Sequence, residues 1–163
     1  MVSYTTRMPI GFIGRISREN NLLVEAAPVN QANPPLSYGV FVKLVSGLLN
    51  PIAASDAASV IWGVLVSPFP AQSSSNAFGG ATPYAGGIAD VLRRGYIVVA
   101  LTGGTAVKGA QVYVVTTAGT GFPVGSIVTS ASPGASAVAV AVPNTTFEGP
   151  ADANGNVEIA YNI

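Results

Sequence analysis

The chain has 163 residues, no net charge, no cysteine and no histidine. Its length suits one domain with a buried core, and charged residues make up 9% of it, against about 25% in ordinary soluble domains. These numbers exclude disulfides and thiolate metal sites. They also remove the usual general base of an enzyme and the excess of positive charge that nucleic-acid binding requires.

Apolar residues make up 49% of the chain, but no run of about 18 to 20 of them exists, as a membrane helix would need. The longest uncharged runs, residues 57–89 and 109–147, are broken repeatedly by Pro, Gly, Ser and Thr. The apolar patch at residues 8–13 is short and is followed by Arg15 and Arg18, unlike a signal peptide. We therefore expect a soluble protein that is made in the cytoplasm and has no membrane partner.

The first segment, residues 1–35, is predicted to be an extended N-terminal arm, and residues 36–163 a single β domain. The arm holds five of the fourteen charges and ends in a Pro-Pro step, which favours an extended path. Arginines on an extended arm, here Arg7, Arg15 and Arg18, are well placed to reach a neighbouring subunit. The same segment also fits a first β-hairpin of the domain, and the two interpretations are compatible.

Two strands of the core are predicted next, at residues 39–45 and 59–66. The second is almost continuously apolar, which indicates cover on both faces, and Gly63 within it marks a bulge or a close approach of another backbone. Trp62 beside this glycine is more typical of a core residue than of an exposed platform for a ligand.

Residues 68–87 are predicted to form a long loop, because Ser, Gly and Pro dominate them. Loops of about 20 residues are uncommon in compact domains and are usually functional or disordered. Phe69, Phe78 and Tyr84 occur at intervals along it, and aromatic side chains in such loops commonly serve as anchors. We expect them to anchor the loop on this chain or on a neighbour.

The most regular stretch is predicted to be a β-hairpin with strands at residues 95–101 and 111–115. The strands are rich in β-branched residues, and a Gly-Gly step follows the first of them, where a tight turn needs positive φ. Arg93 and Arg94, at the mouth of the first strand, are the densest positive charge in the chain. They are expected to be either a contact pair or a solvated pair at a strand start.

Three further strands complete the pattern, at residues 126–132, 136–142 and 157–163. The second alternates Ala with Val, which puts Val on one face and leaves an Ala face for close packing of another sheet or subunit. An Asn-Gly step predicts the turn before the third. Seven or eight short strands, 19 Gly and 12 Pro predict an all-β fold, a jelly-roll-like β-sandwich or barrel.

Two acidic patterns in the sequence are candidate chemical sites. Glu148 and Asp152 could act as a carboxylate pair for glycoside hydrolysis, but they flank a Gly-Pro turn, which favours solvated turn charges. Residues 152–158 resemble half of a calcium loop, but the Asn-Gly hairpin turn explains them as well. We expect no catalytic residues, no metal and no cofactor.

Four segments together resemble the structural cement or decoration proteins of tailed bacteriophage capsids. They are GVLVSPFP (residues 63–70), VLRRGYI (91–97), AVKGAQVYV (106–114) and FEGPADANGNVEIAYNI (147–163). The resemblance implies a non-enzymatic jelly-roll or related β-sandwich that self-associates, as a dimer or trimer, and binds no nucleic acid. It also implies a virion protein, synthesised in the host cytoplasm, that sits on the outer surface of the capsid. There it would bridge neighbouring subunits of an HK97-type major capsid protein.

The candidate residues for binding the capsid or a sister subunit are the arginines and the loop aromatics: Arg7, Arg15, Arg18, Phe69, Phe78, Tyr84, Arg93 and Arg94. A carbohydrate-binding β-sandwich module of a phage structural component is the alternative, with Trp62, Tyr84 or Tyr96 as a stacking platform. An enzyme of unusual chemistry is a third interpretation, against which the missing His and Cys count.

Overall fold

The computed structural model describes residues 10–68, 82–134 and 136–163. Within them the predicted all-β fold is confirmed. The strands are β1 (Ile16–Pro28), β2 (Phe41–Val45), β3 (Leu48–Pro51), β4 (Ile61–Leu65), β5 (Ile88–Gly103), β6 (Gln111–Thr117), β7 (Ile127–Val128), β8 (Val138–Phe147) and β9 (Asn156–Tyr161). One turn of 3₁₀ helix, Ala58–Val60, precedes β4. No helix in the described residues is long and apolar enough to cross a membrane.

Strand β5 organises both halves of the fold. It is 16 residues long and pairs with β1, β4, β7 and β9. β1 pairs with β5 from Ile88 to Ile97 in an irregular register, and Val91 and Leu92 also pair with β4. Residues 95–100 pair with β9, and Leu101 and Gly103 pair with β7. The halves meet at Gly95, whose φ of 139° is open to glycine but strained for other residues.

The C-terminal half of β5 belongs to a closed ring of strands, in the order β5, β7, β6, β8, β9 and back to β5, which we call the large barrel. All of its pairings are antiparallel except the parallel pair β5–β7. In the described residues every strand of this ring has a neighbour on both sides, which reduces the sheet edge open to another chain. The interior is the larger apolar cluster, which includes Val99, Val114, Val142, Phe147 and Ile159.

The N-terminal half of β5 belongs to a second ring, the small barrel, formed by β1, β5, β4, β2 and β3. A parallel bridge between Val29 and Leu49 closes it, because it joins the end of β1 to β3. Its interior is a separate cluster to which every strand of the ring or its end contributes: Ala27, Val29, Val42, Leu49, Leu65 and Val91.

The two barrels are packed together across a shared boundary. Phe41 lies on β2 of the small barrel but points into the large cluster, where its ring centroid is 6.0 Å from that of Tyr161 on β9. Val64 and Leu92 also lie on small-barrel strands and join the same cluster. The small barrel therefore buries one face inside itself and the other against the large barrel.

Much of the predicted arm is structured. Residues 16–28 form β1, which agrees with the interpretation of a first strand of the domain. Residues 10–15 continue along the large barrel, where Gly14 N donates to Val98 O at 2.8 Å and Ile10 N donates to Asp152 Oδ2 at 3.1 Å. Residues 1–9 lie outside the described part, and the domain boundary at residue 35 stays a prediction.

The predicted hairpin of residues 95–101 and 111–115 is wrong, although both strands exist. Strand β7 lies between β5 and β6, because Ile127 pairs with Leu101 on one side and with Val114 on the other. The Gly-Gly step does contain a positive φ, 87° at Gly104, but both glycines also serve close packing. A Cβ at Gly103 would collide with the ring of Phe122, and one at Gly104 with the side chain of Thr129.

Other local predictions are confirmed. A Cβ on Gly63 would lie 2.5 Å from Leu92 O, so this glycine does permit a close backbone approach. In β8, Val140 and Val142 face the large cluster, while Ala139 faces a small separate cluster. A loop of the same chain covers Ala139, since Phe122 packs against that cluster, whereas Val138 and Ala141 are exposed.

Candidate interaction surface

The described residues that the sequence proposed for contacts do not converge on one spot. Arg18, Arg93 and Arg94 lie along the β1–β5 ladder, where Arg18 pairs with Tyr96 and Arg94 with Leu23. Tyr84 lies in the segment before β5, with 81% of its surface exposed. Arg15 precedes β1 and is partly buried. Arg7, Phe69 and Phe78, which are also predicted contact residues, lie outside the described residues.

Arg18 is held by groups of its own chain. Its Nε and Nη2 lie 3.0 and 2.5 Å from the two carboxylate oxygens of Glu158, and its guanidinium carbon lies 4.3 Å above the ring of Tyr96. The hydrogen bond with Glu158 raises the pKa of Arg18 against the opposing effect of desolvation, and Glu148 at 3.5 Å adds to the rise. Glu148 also approaches Lys108, at 3.9 Å. This cluster fastens β1 across β5 to β9, and 42% of the Arg18 side chain stays exposed.

Arg93 is placed differently, because its guanidinium stacks on a ring and its Nε has no hydrogen-bond acceptor among the described residues. The guanidinium carbon lies 4.4 Å above the ring of Trp62, a geometry typical of a cation–π contact. Its Nε is buried and has no hydrogen-bond partner. The facing oxygen, Oε2 of Glu25, is 3.7 Å away, beyond hydrogen-bonding distance. The side chain is 27% exposed and therefore remains reachable from outside.

Arg93 also lines a groove between the two barrels, which we call the junction groove. The groove has a volume of about 170 Å³. Its lining comes from the 3₁₀ turn, the start of β4, β5, the bulged part of β8 and the end of β9: Ala58, Ser59, Ile61, Arg93, Val142, Pro143, Tyr161 and Asn162. Burial raises the pKa of the Tyr161 phenol, although Arg93 and a hydrogen bond with Asn162 act in the other direction. The phenol is therefore neutral at pH 7 and able to donate a hydrogen bond.

The predicted position of Arg93 and Arg94 at a strand start is wrong. Both lie inside β5, which begins at Ile88. The alternation of the strand separates them, so Arg93 is half-buried and Arg94 is exposed. No described residue forms an ion pair with Arg94 within 4.0 Å.

Sequence reasoning missed an apolar protrusion on β1. Between the pairs Arg18–Tyr96 and Leu23–Arg94, β1 advances five residues while β5 moves two, so residues 19–22 bulge outward. Leu22 and Leu23 are 40% and 49% exposed there. The Asn-Asn step in an otherwise strand-like segment was the available signal, since Asn tolerates the left-handed conformation, and Asn21 has φ 56°.

A second apolar protrusion is the hairpin between β2 and β3. Ser46 and Gly47 have φ of 51° and 78°, the left-handed pair that a type I′ turn requires. Leu44, Val45 and Leu48 beside the turn are 39%, 48% and 37% exposed. Apolar side chains gathered at a hairpin tip are typical of a contact surface rather than of a freely solvated turn.

The acidic residues considered as a carboxylate pair or a calcium loop have structural roles. The Asp152 carboxylate accepts hydrogen bonds from the backbone N–H groups of Ile10, Asn154 and Asn156, at 3.1, 2.9 and 2.9 Å. Gly155, with φ 78°, completes the predicted turn. Within residues 10–68, 82–134 and 136–163 no three His, Cys, Asp or Glu side chains come together as metal ligands.

Two of the three rings named as alternative sugar platforms are covered by arginines. Arg93 covers the ring of Trp62, and Arg18 covers the ring of Tyr96. Of the three rings named for it, Tyr84 is the one that is largely exposed. No observation on the described surface favours a glycan over a protein partner.

The described surface of the two barrels carries exposed apolar side chains at β1 and at the β2–β3 turn, which is typical of a protein with contact surfaces. A sequence model of the XM1 gp53 minor capsid protein family matches residues 1–161, and the chain belongs to this family. It is therefore a structural protein of a phage capsid and a component of the virion.

The fold is also found among solved structures. A chain from "The capsid of Myoviridae Phage XM1" superposes with a TM-score of 0.71 at 20% sequence identity, over 99% of this chain and 94% of that one. At this identity the likeness supports the fold. The comparison with curated proteins gives no significant match.

Proposed function

We propose that this protein is a cement, or decoration, protein. It binds the outer surface of an icosahedral capsid built from an HK97-type major capsid protein, bridges neighbouring subunits, and carries out no catalysis. The observation that carries the proposal is the pair of apolar protrusions, at β1 and at the β2–β3 turn, on a minor capsid protein whose sheet edges are closed into barrels. A protein with little edge to offer for strand pairing must bind through such side-chain surfaces.

The stabilising effect follows from mass action. A protein that binds the assembled shell but not separated subunits favours the assembly by RT ln(1 + [L]/Kd), about 2.7 kcal/mol per site at a free concentration of 100 Kd. Because a capsid repeats the site many times, a modest free energy at each one becomes a large total.

Self-association, as a dimer or trimer, belongs to the same proposal. Burial of the leucines at either protrusion against a sister subunit would remove apolar surface from water, at about 25 cal/mol per Å². Sedimentation equilibrium of the purified chain would give the oligomeric state. A strictly monomeric protein at capsid-binding concentrations would refute this part of the proposal.

All the arginines and loop aromatics named from the sequence remain proposed contact residues: Arg7, Arg15, Arg18, Phe69, Phe78, Tyr84, Arg93 and Arg94. The exposure of Tyr84 supports its role as an apolar anchor. Deletion of residues 1–9 is the suitable test of the arm, because a deletion that extends past residue 15 would cut into β1, a strand of the small barrel. We expect reduced occupancy on capsids with an unchanged melting temperature, and full occupancy would contradict a role for the arm.

The proposal as a whole is tested on shells that lack this protein. The purified chain is added, bound protein is measured by co-sedimentation, and the temperature at which the shells release DNA is recorded with and without it. We expect saturable binding and a higher release temperature. Absence of binding would refute the cement role. Binding only to the inside of opened shells would contradict the proposed position on the outer surface.

A further inference from the structure

Building on the proposed cement function, we infer that the junction groove is a carboxylate-binding site. It receives one Asp or Glu side chain from the capsid shell, and Arg93 is the residue that binds it. This assigns a partner chemistry to a feature that the barrels create between them, apart from the apolar protrusions.

The guanidinium of Arg93 is fixed in place before any partner arrives. It is stacked on Trp62 at 4.4 Å, and the backbone beneath it is tied down by Asn162 Nδ2, which donates to Arg93 O at 2.9 Å. A planar guanidinium offers parallel N–H donors that match the two oxygens of a carboxylate. Because its position is already restricted, little side-chain entropy remains to be lost on binding.

The Nε donor of Arg93 is unused within the described residues. Its Nε is buried without a partner, and the Oε2 of Glu25 stands 3.7 Å away. Arg18 on the neighbouring strand shows the contrast, since both carboxylate oxygens of Glu158 satisfy it. A buried charged donor without an acceptor is costly, so an incoming carboxylate that supplies one gains more there than at an exposed arginine.

The size and charge of the groove indicate what fits. Its volume of about 170 Å³ lies below the roughly 300–1,000 Å³ of small-molecule pockets, so it has room for a side chain and not for a peptide. Arg93 is the one charged residue in its lining, which also holds the polar groups of Ser59, Tyr161 and Asn162. A single cation matches a single carboxylate, whereas a nucleic-acid backbone is bound by many Lys and Arg together.

The first test replaces Arg93 in the full chain and measures affinity for shells that lack the protein. We expect Arg93→Gln to weaken binding about 30-fold. Arg93→Lys keeps the charge but loses the parallel N–H donors of the guanidinium, and we expect it to weaken binding at least fivefold. The control Lys108→Gln removes the same charge from a side chain that is 75% exposed, and we expect it to weaken binding to shells less than threefold. Melting temperatures establish folding, and if the Gln variant is unfolded the Lys variant decides the result.

The second test blocks the carboxylates on the shell with carbodiimide and glycinamide. We expect the affinity of the unmodified protein to fall to that of Arg93→Gln, and the affinity of Arg93→Gln itself to change little. Wild-type affinity in Arg93→Gln and Arg93→Lys, or an equal loss for all proteins on blocked shells, would overturn the inference. Retention of duplex DNA that depends on Arg93 would overturn it too, because the occupant would then be a phosphate. If the unmodified protein fails to bind untreated shells, it is the cement function that is refuted.

Discussion

Replacement of Phe41 by Ala tests whether the two barrels unfold as one unit. Phe41 is 1% exposed and lies on a small-barrel strand, but it packs in the large cluster against Tyr161. Truncation of a fully buried Phe costs about 3–5 kcal/mol, from lost burial and from the cavity that remains. With a urea m-value of roughly 2 kcal/mol per M, the midpoint should fall by about 1.5–2.5 M.

The assay uses two probes in urea. Trp62 is the single tryptophan and packs against the small cluster, so its fluorescence reports the small barrel, while far-ultraviolet circular dichroism reports all strands. We expect the two curves to coincide in the wild type and to shift together in Phe41→Ala. The control Phe12→Ala removes a ring that is 62% exposed and should change stability by less than about 0.5 kcal/mol. Separate transitions for the two probes would refute the shared boundary, and so would a shift confined to one of them.

Three further outcomes follow from the described contacts. Gly63→Ala places a methyl group 2.5 Å from a β5 carbonyl oxygen and should lower the free energy of unfolding by about 1–3 kcal/mol in thermal melts; unchanged stability would show that β4 and β5 can separate there. Desolvation raises the pKa of Asp56, but hydrogen bonds from Lys43 and from a backbone N–H outweigh it and lower the pKa overall. The stability that this pair contributes is therefore present above the ordinary carboxyl pKa of 3.8 and is lost as pH falls through the lower pKa of the folded state. Melting temperatures of Asp56→Asn should lack that part of the acid dependence, and an unaltered profile would assign it elsewhere. Leu23→Ser and Val45→Ser should each reduce binding to shells with little change in melting temperature, and full binding by both would remove the protrusions from the contact surface.

From the sequence the candidate arginines can be named, but neither their arrangement nor the exposed apolar side chains of β1 and the β2–β3 turn. The sequence singles out Arg18, Arg93 and Arg94 because charge is scarce, yet it cannot distinguish an arginine bound by its own chain from one without an acceptor. Glu158, which satisfies Arg18, is 140 residues away in the chain. The junction groove arises where the end of β9 meets the middle of β5, a contact for which local patterns carry no signal.

The sequence by itself determined the class of fold and most strand positions, because β-branched runs, glycine and proline act locally on the backbone. Only the tertiary structure decided that β7 separates β5 from β6 and that β5 serves two barrels at once. Strand order depends on which distant segments pack together. Gly63, Gly103 and Gly104 show this, because a Cβ at each position would collide with another strand or loop, and the local sequence does not indicate which one.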